Sequence, residues 1–246
     1  MCERCLLENL AQRPQSSRRA LLGFVAASTI GLALGGAALA KDVKTPPKPQ
    51  NVLSPEASLE RLLKGNERYV EGLSRRHDFK HEREVLTGGQ NPYAGILSCA
   101  DSRIAPEYAF DSGRGDLFVC RVAGNFANDD TVASLEYAVA ILGTPLILVL
   151  GHDSCGAVDA TIKSLKDNTV LPGHLPSLVA ALAPAVKAVS QHGGNPLDNA
   201  IRQNVIDNVA KLKSATPILN AAVEQGKLKV VGGIYRLGDG RVDMIG

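Results

Sequence analysis

Three residues of the metal-ligand type occur in two short motifs of the chain. Cys99 begins Cys-Ala-Asp-Ser-Arg at residues 99–103, and His152 and Cys155 lie in Gly-His-Asp-Ser-Cys-Gly at residues 151–156. Two thiolates and an imidazole form a zinc-binding set, and three protein ligands leave one corner of a tetrahedral site open. Structural zinc is normally closed by four protein ligands, so this set predicts a catalytic zinc site that holds a water.

Two charged residues follow Cys99 in the first motif. Asp101 and Arg103 are alternate residues of a predicted tight turn, so the guanidinium can hold the carboxylate by charge-assisted hydrogen bonds. A carboxylate fixed beside the metal would orient the nucleophilic water. Asp101 could instead occupy the fourth ligand position and close the site, and the sequence leaves both states open.

The two motifs follow short apolar segments that are typical of buried parallel strands. Runs rich in Ile, Leu and Val occupy residues 94–98, 117–122 and 145–150. Cys99 comes directly after one run and His152 follows another. Ligands bind at the carboxyl ends of strands in open α/β sheets, so we expect both motifs at one crevice. Cys155 would stand where a turn enters the next helix, which favours its thiolate form.

Helical patterns separate these strands. A helix is predicted to begin at Ser54, with Ser as the N-cap and Pro55 at the first helical position. Further helices are predicted over residues 77–86, 129–142, 175–189 and 196–223, and a terminal strand pair over residues 229–235 and 241–245. This alternation predicts an α/β fold with a mostly parallel central sheet flanked by helices.

The first forty residues have the pattern of a targeting segment. Arg18 and Arg19 directly precede an uncharged, largely apolar stretch over residues 20–40, which ends in Ala-Leu-Ala before Lys41. This is typical of a twin-arginine signal peptide cleaved after Ala40, with an uncleaved signal anchor as the alternative. We therefore expect a periplasmic or secreted protein that uses the twin-arginine export machinery, or one anchored to the membrane and facing the periplasm.

Beyond residue 40 the composition indicates a linker and one folded domain, and the net charge of the whole chain is small. Residues 41–53 are rich in Pro and Lys and are predicted as a linker, which leaves residues 54–246 for the folded domain. The formal net charge of the 246-residue chain is +2. This balance gives no electrostatic reason to expect nucleic acid as a partner.

The chain resembles the β-class carbonic anhydrases. The two ligand motifs carry the resemblance, together with the intervening segments at residues 116–125 and 136–139, in the same order and spacing. It implies that Cys99, His152 and Cys155 bind one Zn²⁺ per subunit, and that Asp101 and Arg103 form the catalytic dyad. The implied activity is the reversible hydration of carbon dioxide to bicarbonate and a proton.

The same resemblance assigns a substrate pocket to five further residues: Gln90, Phe118, Ala123, Tyr137 and Gly156. Gln90 would hydrogen-bond a substrate oxygen, and the backbone of Gly156 would face the substrate. The other three would line a small apolar pocket for carbon dioxide. The subgroup with a non-catalytic bicarbonate site carries a Trp where this chain has Ile96, and the chain has no Trp. The resemblance therefore favours an open site without that regulatory pocket.

The resemblance also implies an N-terminal helical arm that embraces a second subunit, and so a homodimer or a higher homo-oligomer. Two other functions are compatible with the ligand residues. A carbonyl sulfide or carbon disulfide hydrolase would use the same fold, because a linear triatomic electrophile suits the same nucleophile. A non-enzymatic zinc-binding or redox protein would pair Cys99 with Cys155, but it would leave Asp101 and Gln90 without a task.

Overall fold

A computed structural model describes residues 46–245, and these residues build one five-stranded sheet. Its strands are Ala94–Ser98 (β1), Leu117–Arg121 (β2), Leu146–His152 (β3), Lys229–Tyr235 (β4) and Val242–Ile245 (β5). The spatial order is β2-β1-β3-β4-β5, in which the first four are parallel and β5 runs antiparallel to β4. The predicted α/β fold with a mostly parallel sheet is confirmed. The predicted signal peptide and its cleavage site lie outside the described residues.

Eight α-helices are described, and they flank the sheet. They are Pro55–Val70 (α1), Phe79–Leu86 (α2), Pro106–Ala109 (α3), Asp129–Ala140 (α4), Gly156–Lys166 (α5), Leu175–Ala188 (α6), Pro196–Ser214 (α7) and Leu219–Glu224 (α8). As predicted, α1 begins at Ser54, whose side chain accepts a hydrogen bond from the Ala57 N–H. Between residues 46 and 245, no helix combines the length and apolar character needed to cross a bilayer.

Two predicted helices have different bounds in the structure. The helix predicted over residues 196–223 is divided into α7 and α8, because Pro217 lies in the interval and a proline cannot donate a backbone hydrogen bond. The helix predicted to begin at His77 begins at Phe79. Asp78 is its N-cap, and its side chain accepts a hydrogen bond from the His81 N–H.

Two strands also differ from their predictions. β3 extends to His152 because its last residues still pair with β4, where Gly151 faces Ile234 and His152 faces Tyr235. β2 was predicted to be buried on both faces but lies at the edge of the sheet, and its residues are half-buried or exposed. An apolar run by itself does not distinguish an edge strand from a central one.

The core lies on both faces of the sheet because alternate strand residues point to opposite sides. Ile96, Leu146 and Leu148 belong to a fully buried cluster that also includes Leu62 of α1. On the other face, a second cluster contains residues of the same strands and of α4, α7 and α8. Cys99 and Cys155 lie in a third cluster, beside α6 and α7. The ligand residues are therefore enclosed by packed helices.

The final residues of the predicted linker pack against the domain. The Lys48 ammonium lies 2.7 Å from Asp116 Oδ1, and each of these side chains is 9% exposed. Asn51 ends a short 3-10 helix and donates to the same carboxylate oxygen at 3.1 Å. The folded part therefore begins before Ser54, and Lys48 is an anchored residue rather than part of a free linker.

Candidate metal centre

The three predicted ligand residues converge at the carboxyl ends of two neighbouring central strands. Cys99 follows β1, His152 ends β3, and Cys155 is the N-cap of α5. The chain passes from β1 to β2 on one side while β3 lies on the other, so the site is at a topological switch point. The ligand atoms of these buried residues all lie within 4.8 Å of one another, the one such group found among residues 46–245.

The imidazole of His152 has a defined tautomer. Its Nδ1 lies 2.8 Å from the backbone carbonyl of Asp153, and because a carbonyl only accepts, Nδ1 donates the hydrogen. The lone pair is then on Nε2, which is buried and has no hydrogen-bond partner within the described part of the chain. Buried polar atoms normally have a bonding partner, so this nitrogen is available to bind a metal ion. Two sulfurs and one imidazole nitrogen form a donor set that fits zinc.

The two thiols of the cluster differ in their acidity. The Cys155 thiol beside Cys99, together with His152 and the Gly124 N–H, lowers the pKa of Cys99 well below its ordinary value. The adjoining Cys99 and burial raise the pKa of Cys155. Deprotonation of Cys99 is therefore favoured even without a cation. A thiol that coordinates a metal is deprotonated outright.

The Asp101–Arg103 pair forms as predicted, directly beside the ligand cluster. Arg103 Nε lies 2.9 Å from Asp101 Oδ1, and Nη2 lies 2.7 Å from Oδ2. The hydrogen bonds from Arg103 hold the pKa of Asp101 well below its usual range. Asp101 Oδ2 is 3.8 Å from His152 Nε2. A fixed, ionised acceptor therefore lies at the ligand cluster.

Arg121 is a second arginine at this site, and neither sequence motif indicated it. Its Nε donates to the carbonyl of Cys99 at 3.0 Å, and its Nη2 donates to the carbonyl of Asp101 at 2.6 Å. It thereby holds the backbone of the first motif from the neighbouring strand. The one sequence feature that could have indicated Arg121 is its position as a charged residue near the end of an apolar run.

Asp153 also has a role at this site that its motif did not predict. Its carbonyl orients His152, and its own side chain accepts a hydrogen bond from the Leu237 N–H at 3.1 Å. Its N–H donates to the carbonyl of Tyr235 at 3.2 Å. Asp153 thus attaches the second motif to the β4–β5 hairpin, a contact over 84 residues that no local pattern indicates.

Comparison with known proteins agrees with this geometry. The family model described as "Carbonic anhydrase" matches residues 94–242. Carbonic anhydrase 2 of Mycobacterium tuberculosis is 40% identical over 189 residues, which cover 76% of this chain and 91% of that protein. The chain belongs to the carbonic anhydrase family. The carbonic anhydrase of Mycolicibacterium smegmatis is 38% identical over 192 residues, with 78% of this chain and 93% of that protein covered.

Solved structures place this carbonic anhydrase in the β class. The β-carbonic anhydrase CcaA is 29% identical with a TM-score of 0.57, and the match covers 75% of this chain and 93% of that one. A tetrameric β-carbonic anhydrase from Sordaria macrospora is 25% identical with a TM-score of 0.62, covering 77% and 98% of the two chains. The protein is thus an enzyme, and the non-enzymatic alternative is not supported.

Two of the five residues assigned to the substrate pocket adjoin the Cys99–His152–Cys155 cluster of this carbonic anhydrase. Ala123 is half-buried and directly precedes Gly124, whose N–H contacts Cys99. Gly156 directly follows Cys155, and a Cβ atom built on it would meet no other atom within 4 Å. Open space therefore lies beside the backbone of the second motif.

The other three pocket residues lie farther away in the same protomer. The rings of Phe118 and Tyr137 have centroids 6.4 Å apart, and Tyr137 is 47% exposed. Phe118 pairs with Gly95, four residues before Cys99, which corresponds to about 13 Å along the strand. Gln90 is exposed and precedes β1, at the end of that strand opposite Cys99. One protomer does not bring these three to the ligand cluster, so their role stays a prediction.

Proposed function

We propose that this carbonic anhydrase binds one Zn²⁺ per subunit through Cys99, His152 and Cys155, and that it hydrates carbon dioxide reversibly to bicarbonate and a proton. The observation that carries the proposal is that His152 Nε2 has no hydrogen-bond partner among residues 46–245 and lies near two sulfurs beside a fixed carboxylate. Bound zinc would supply the Lewis acidity that makes water a nucleophile near neutral pH.

The chain's own residues would orient the reacting water. As an ionised carboxylate, Asp101 would accept a hydrogen bond from that water and so orient it for attack on carbon dioxide. Arg103 holds both oxygens of Asp101, so the carboxylate keeps one orientation. Because Arg103 holds the carboxylate in this orientation, we expect an open fourth ligand position rather than Asp101 as the fourth ligand.

A second copy of the chain would complete the substrate pocket. Gln90, Phe118 and Tyr137 lie away from the ligands of their own protomer, and Tyr137 is exposed on α4 beside the edge strand β2. The Sordaria macrospora relatives are described as tetrameric. We therefore expect a homodimer or higher homo-oligomer in which these residues face the metal centre of the neighbouring subunit.

A complementation experiment tests this sharing of residues. His152→Ala lacks a metal ligand and Gln90→Ala lacks a pocket residue, and we expect both homo-oligomers to be nearly inactive. If each site combines the ligands of one subunit with the pocket of another, co-assembled subunits contain one site with neither change. Activity should then return in the mixture. A mixture as inactive as its components would place the pocket and the ligands in the same protomer.

Residues 1–40 support a further part of the proposal, the location of the enzyme. Their twin arginine, apolar stretch and Ala-Leu-Ala ending favour export through the twin-arginine machinery and cleavage after Ala40. The mature enzyme would then act in the periplasm or after secretion. An uncleaved, membrane-anchored form facing the periplasm is the alternative that the export experiment in the Discussion distinguishes.

The hydration reaction itself can be tested with zinc-loaded and metal-free protein. We expect rapid carbon dioxide hydration in a stopped-flow pH-indicator assay from the zinc-loaded protein and almost none from the metal-free protein. Release of sulfide from carbonyl sulfide would be measured in parallel, and we expect it to be much slower. Equal hydration by the metal-free protein would contradict the role of zinc, and faster sulfide release would reassign the substrate.

A further inference from the structure

The loop after β2 contacts the ligand cluster through a backbone N–H. The Gly124 N–H donates to Cys99 Sγ at 3.3 Å. Gly124 has a φ of +87°, and a Cβ atom at this position would lie 2.8 Å from Leu182 Cδ1. The backbone conformation therefore favours glycine here, and a larger residue would also displace the buried side chain of Leu182. Glycine is also the most flexible residue, so other groups must keep its peptide in this orientation.

Two buried asparagines of α7 hold the same loop. Asn204 Nδ2 donates to the carbonyl of Gly124 at 2.8 Å, and Asn208 Oδ1 accepts from the Ala127 N–H at 2.7 Å. Asn208 Nδ2 also donates to Asn204 Oδ1 at 3.0 Å, which fixes the orientation of the first amide. Asn204 is 3% exposed and Asn208 is 7% exposed. The two side chains thus connect the loop to the helix at two points.

We infer that Asn204, supported by Asn208, is a positioning residue for the metal ligand Cys99. Asn204 fixes the carbonyl of Gly124, and Cys99 Sγ receives the N–H of the same residue. The peptide group after Gly124 is thereby held by Asn204, and the peptide group before it donates to Cys99. Holding the carbonyl limits the rotation of the glycine, which keeps the N–H directed at the sulfur. This inference rests on the proposed function, because it concerns a sulfur that binds the metal.

The hydrogen bond to Cys99 has a chemical consequence for a bound metal. A donor to a thiolate withdraws part of the negative charge of the sulfur, so the sulfur donates less charge to the cation. Two thiolates donate more charge than two imidazoles would, and this lowers the Lewis acidity of the metal. The Gly124 N–H opposes that effect. Asn204 would therefore tune the metal without contacting it.

A merely structural role for Asn204 makes a different prediction. A buried asparagine that only stabilises a loop would change the unfolding temperature and leave the electronic properties of the metal centre unaltered. Asn66 of α1 offers a matched control, because it is 5% exposed and its Nδ2 donates to the carbonyls of Ala109 and Gly240. It is a buried amide of the same kind that holds other segments of backbone.

The experiment uses the full chain loaded with Co²⁺, whose thiolate-to-metal charge-transfer absorption reports the electron density on sulfur. Asn204→Leu removes the donor and leaves a side chain of similar size. Asn204→Asp keeps the shape, and once its carboxyl group is ionised at alkaline pH it cannot donate. We expect the absorption to move to lower energy in both variants, and zinc affinity to fall by about 10- to 100-fold. Asn66→Leu should lower the unfolding temperature without moving the absorption.

The outcomes separate this inference from the proposed function. A charge-transfer absorption in the wild-type protein that neither Asn204 variant moves would overturn the positioning role alone. Absence of that absorption from the wild-type cobalt protein would overturn the thiolate metal centre, and the positioning role with it. Far-ultraviolet circular dichroism identifies the folded variants, and Asn204→Asp supplies the test if Asn204→Leu does not fold.

Discussion

The Oδ2 atom of Asp101 contacts Arg103 and lies near His152, one of the three proposed metal ligands. It accepts a hydrogen bond from Arg103 Nη2 at 2.7 Å and lies 3.8 Å from His152 Nε2. The second oxygen, Oδ1, accepts from both Nε and the backbone N–H of Arg103, each at 2.9 Å. The carboxylate is therefore fixed by the residue two positions further along the chain, and one of its oxygens still faces the ligand cluster.

The first prediction concerns the dyad. Asp101→Asn and Arg103→Ala should each retain zinc, because neither removes one of the three ligands, but each should lower turnover by at least about tenfold. The double variant should be far from additive, since the two residues act as one unit. Zinc content and the hydration rate against pH would be measured for all three variants.

A matched control for the dyad is Lys163→Ala, which removes an exposed ion pair with Asp159 on α5. It should hydrate carbon dioxide at the wild-type rate, because surface pairs contribute little. If Arg103→Ala behaves like this control across neutral pH, the dyad has no catalytic role.

The second prediction concerns the ligands. Cys99→Ser, His152→Ala and Cys155→Ser should each lose zinc and hydration activity together, because a three-ligand site does not bind tightly with two. Metal content by mass spectrometry and stopped-flow rates would be compared with those of Cys120→Ser. Cys120 is half-buried and lies outside the ligand cluster, so its variant should keep both properties. Full zinc in any of the first three variants would remove that residue from the ligand set.

The third prediction concerns pH. Arg103 lowers the pKa of Asp101 in the folded protein, whereas the pKa of an Asp side chain in an unfolded chain is about 3.9. The contribution of this pair to stability is therefore present above about pH 4 and is lost as pH falls through the lower, folded-state pKa. In carbon-13 spectra of the carboxyl groups, Asp101 should titrate below the usual range, and its midpoint should rise in Arg103→Ala. Equal titration midpoints of Asp101 in the wild-type protein and in Arg103→Ala would show that Arg103 does not lower the pKa of Asp101.

The fourth prediction concerns Lys48, at the end of the predicted linker. Lys48→Met should lower the free energy of unfolding by about 2 kcal/mol, because it leaves the buried Asp116 without its nearest cation. Arg61 remains 3.4 Å from the other carboxylate oxygen and limits the loss. Urea unfolding would compare it with Lys64→Met, which removes an exposed pair with Glu60 and should change the free energy of unfolding little. Equal effects would mean that Lys48 does not anchor the segment.

The fifth prediction concerns export, through residues outside the described part of the chain. Replacing Arg18 and Arg19 with lysines should leave the protein in the cytoplasm with its signal attached, since the export receptor recognises the arginine pair. The wild-type mature protein should begin at Lys41, as determined by N-terminal sequencing of the periplasmic fraction. An intact N-terminus on membrane-bound wild-type protein would establish the anchored alternative.

Sequence alone predicted the residues of the buried Cys99–His152–Cys155 cluster because the relevant signals are local. Cys99 and His152 lie at or directly after apolar strands, and parallel strands place their carboxyl ends at one edge of the sheet. The Asp101–Arg103 pair spans two residues, so a single turn suffices to form it. The start of α1 was equally clear, because Ser54 and Pro55 act on the first helical turn.

Only the tertiary structure revealed the contacts between segments far apart in the chain. Asn204 holds Gly124 across 80 residues, and Lys48 reaches Asp116 across 68. The same structure places β2 at the sheet edge and separates Phe118 from the ligands of its own protomer. Hydrophobic periodicity and capping report only the conformation of neighbouring residues. Which buried side chain meets which backbone group depends on how the helices pack on the sheet, and only the folded chain determines that packing.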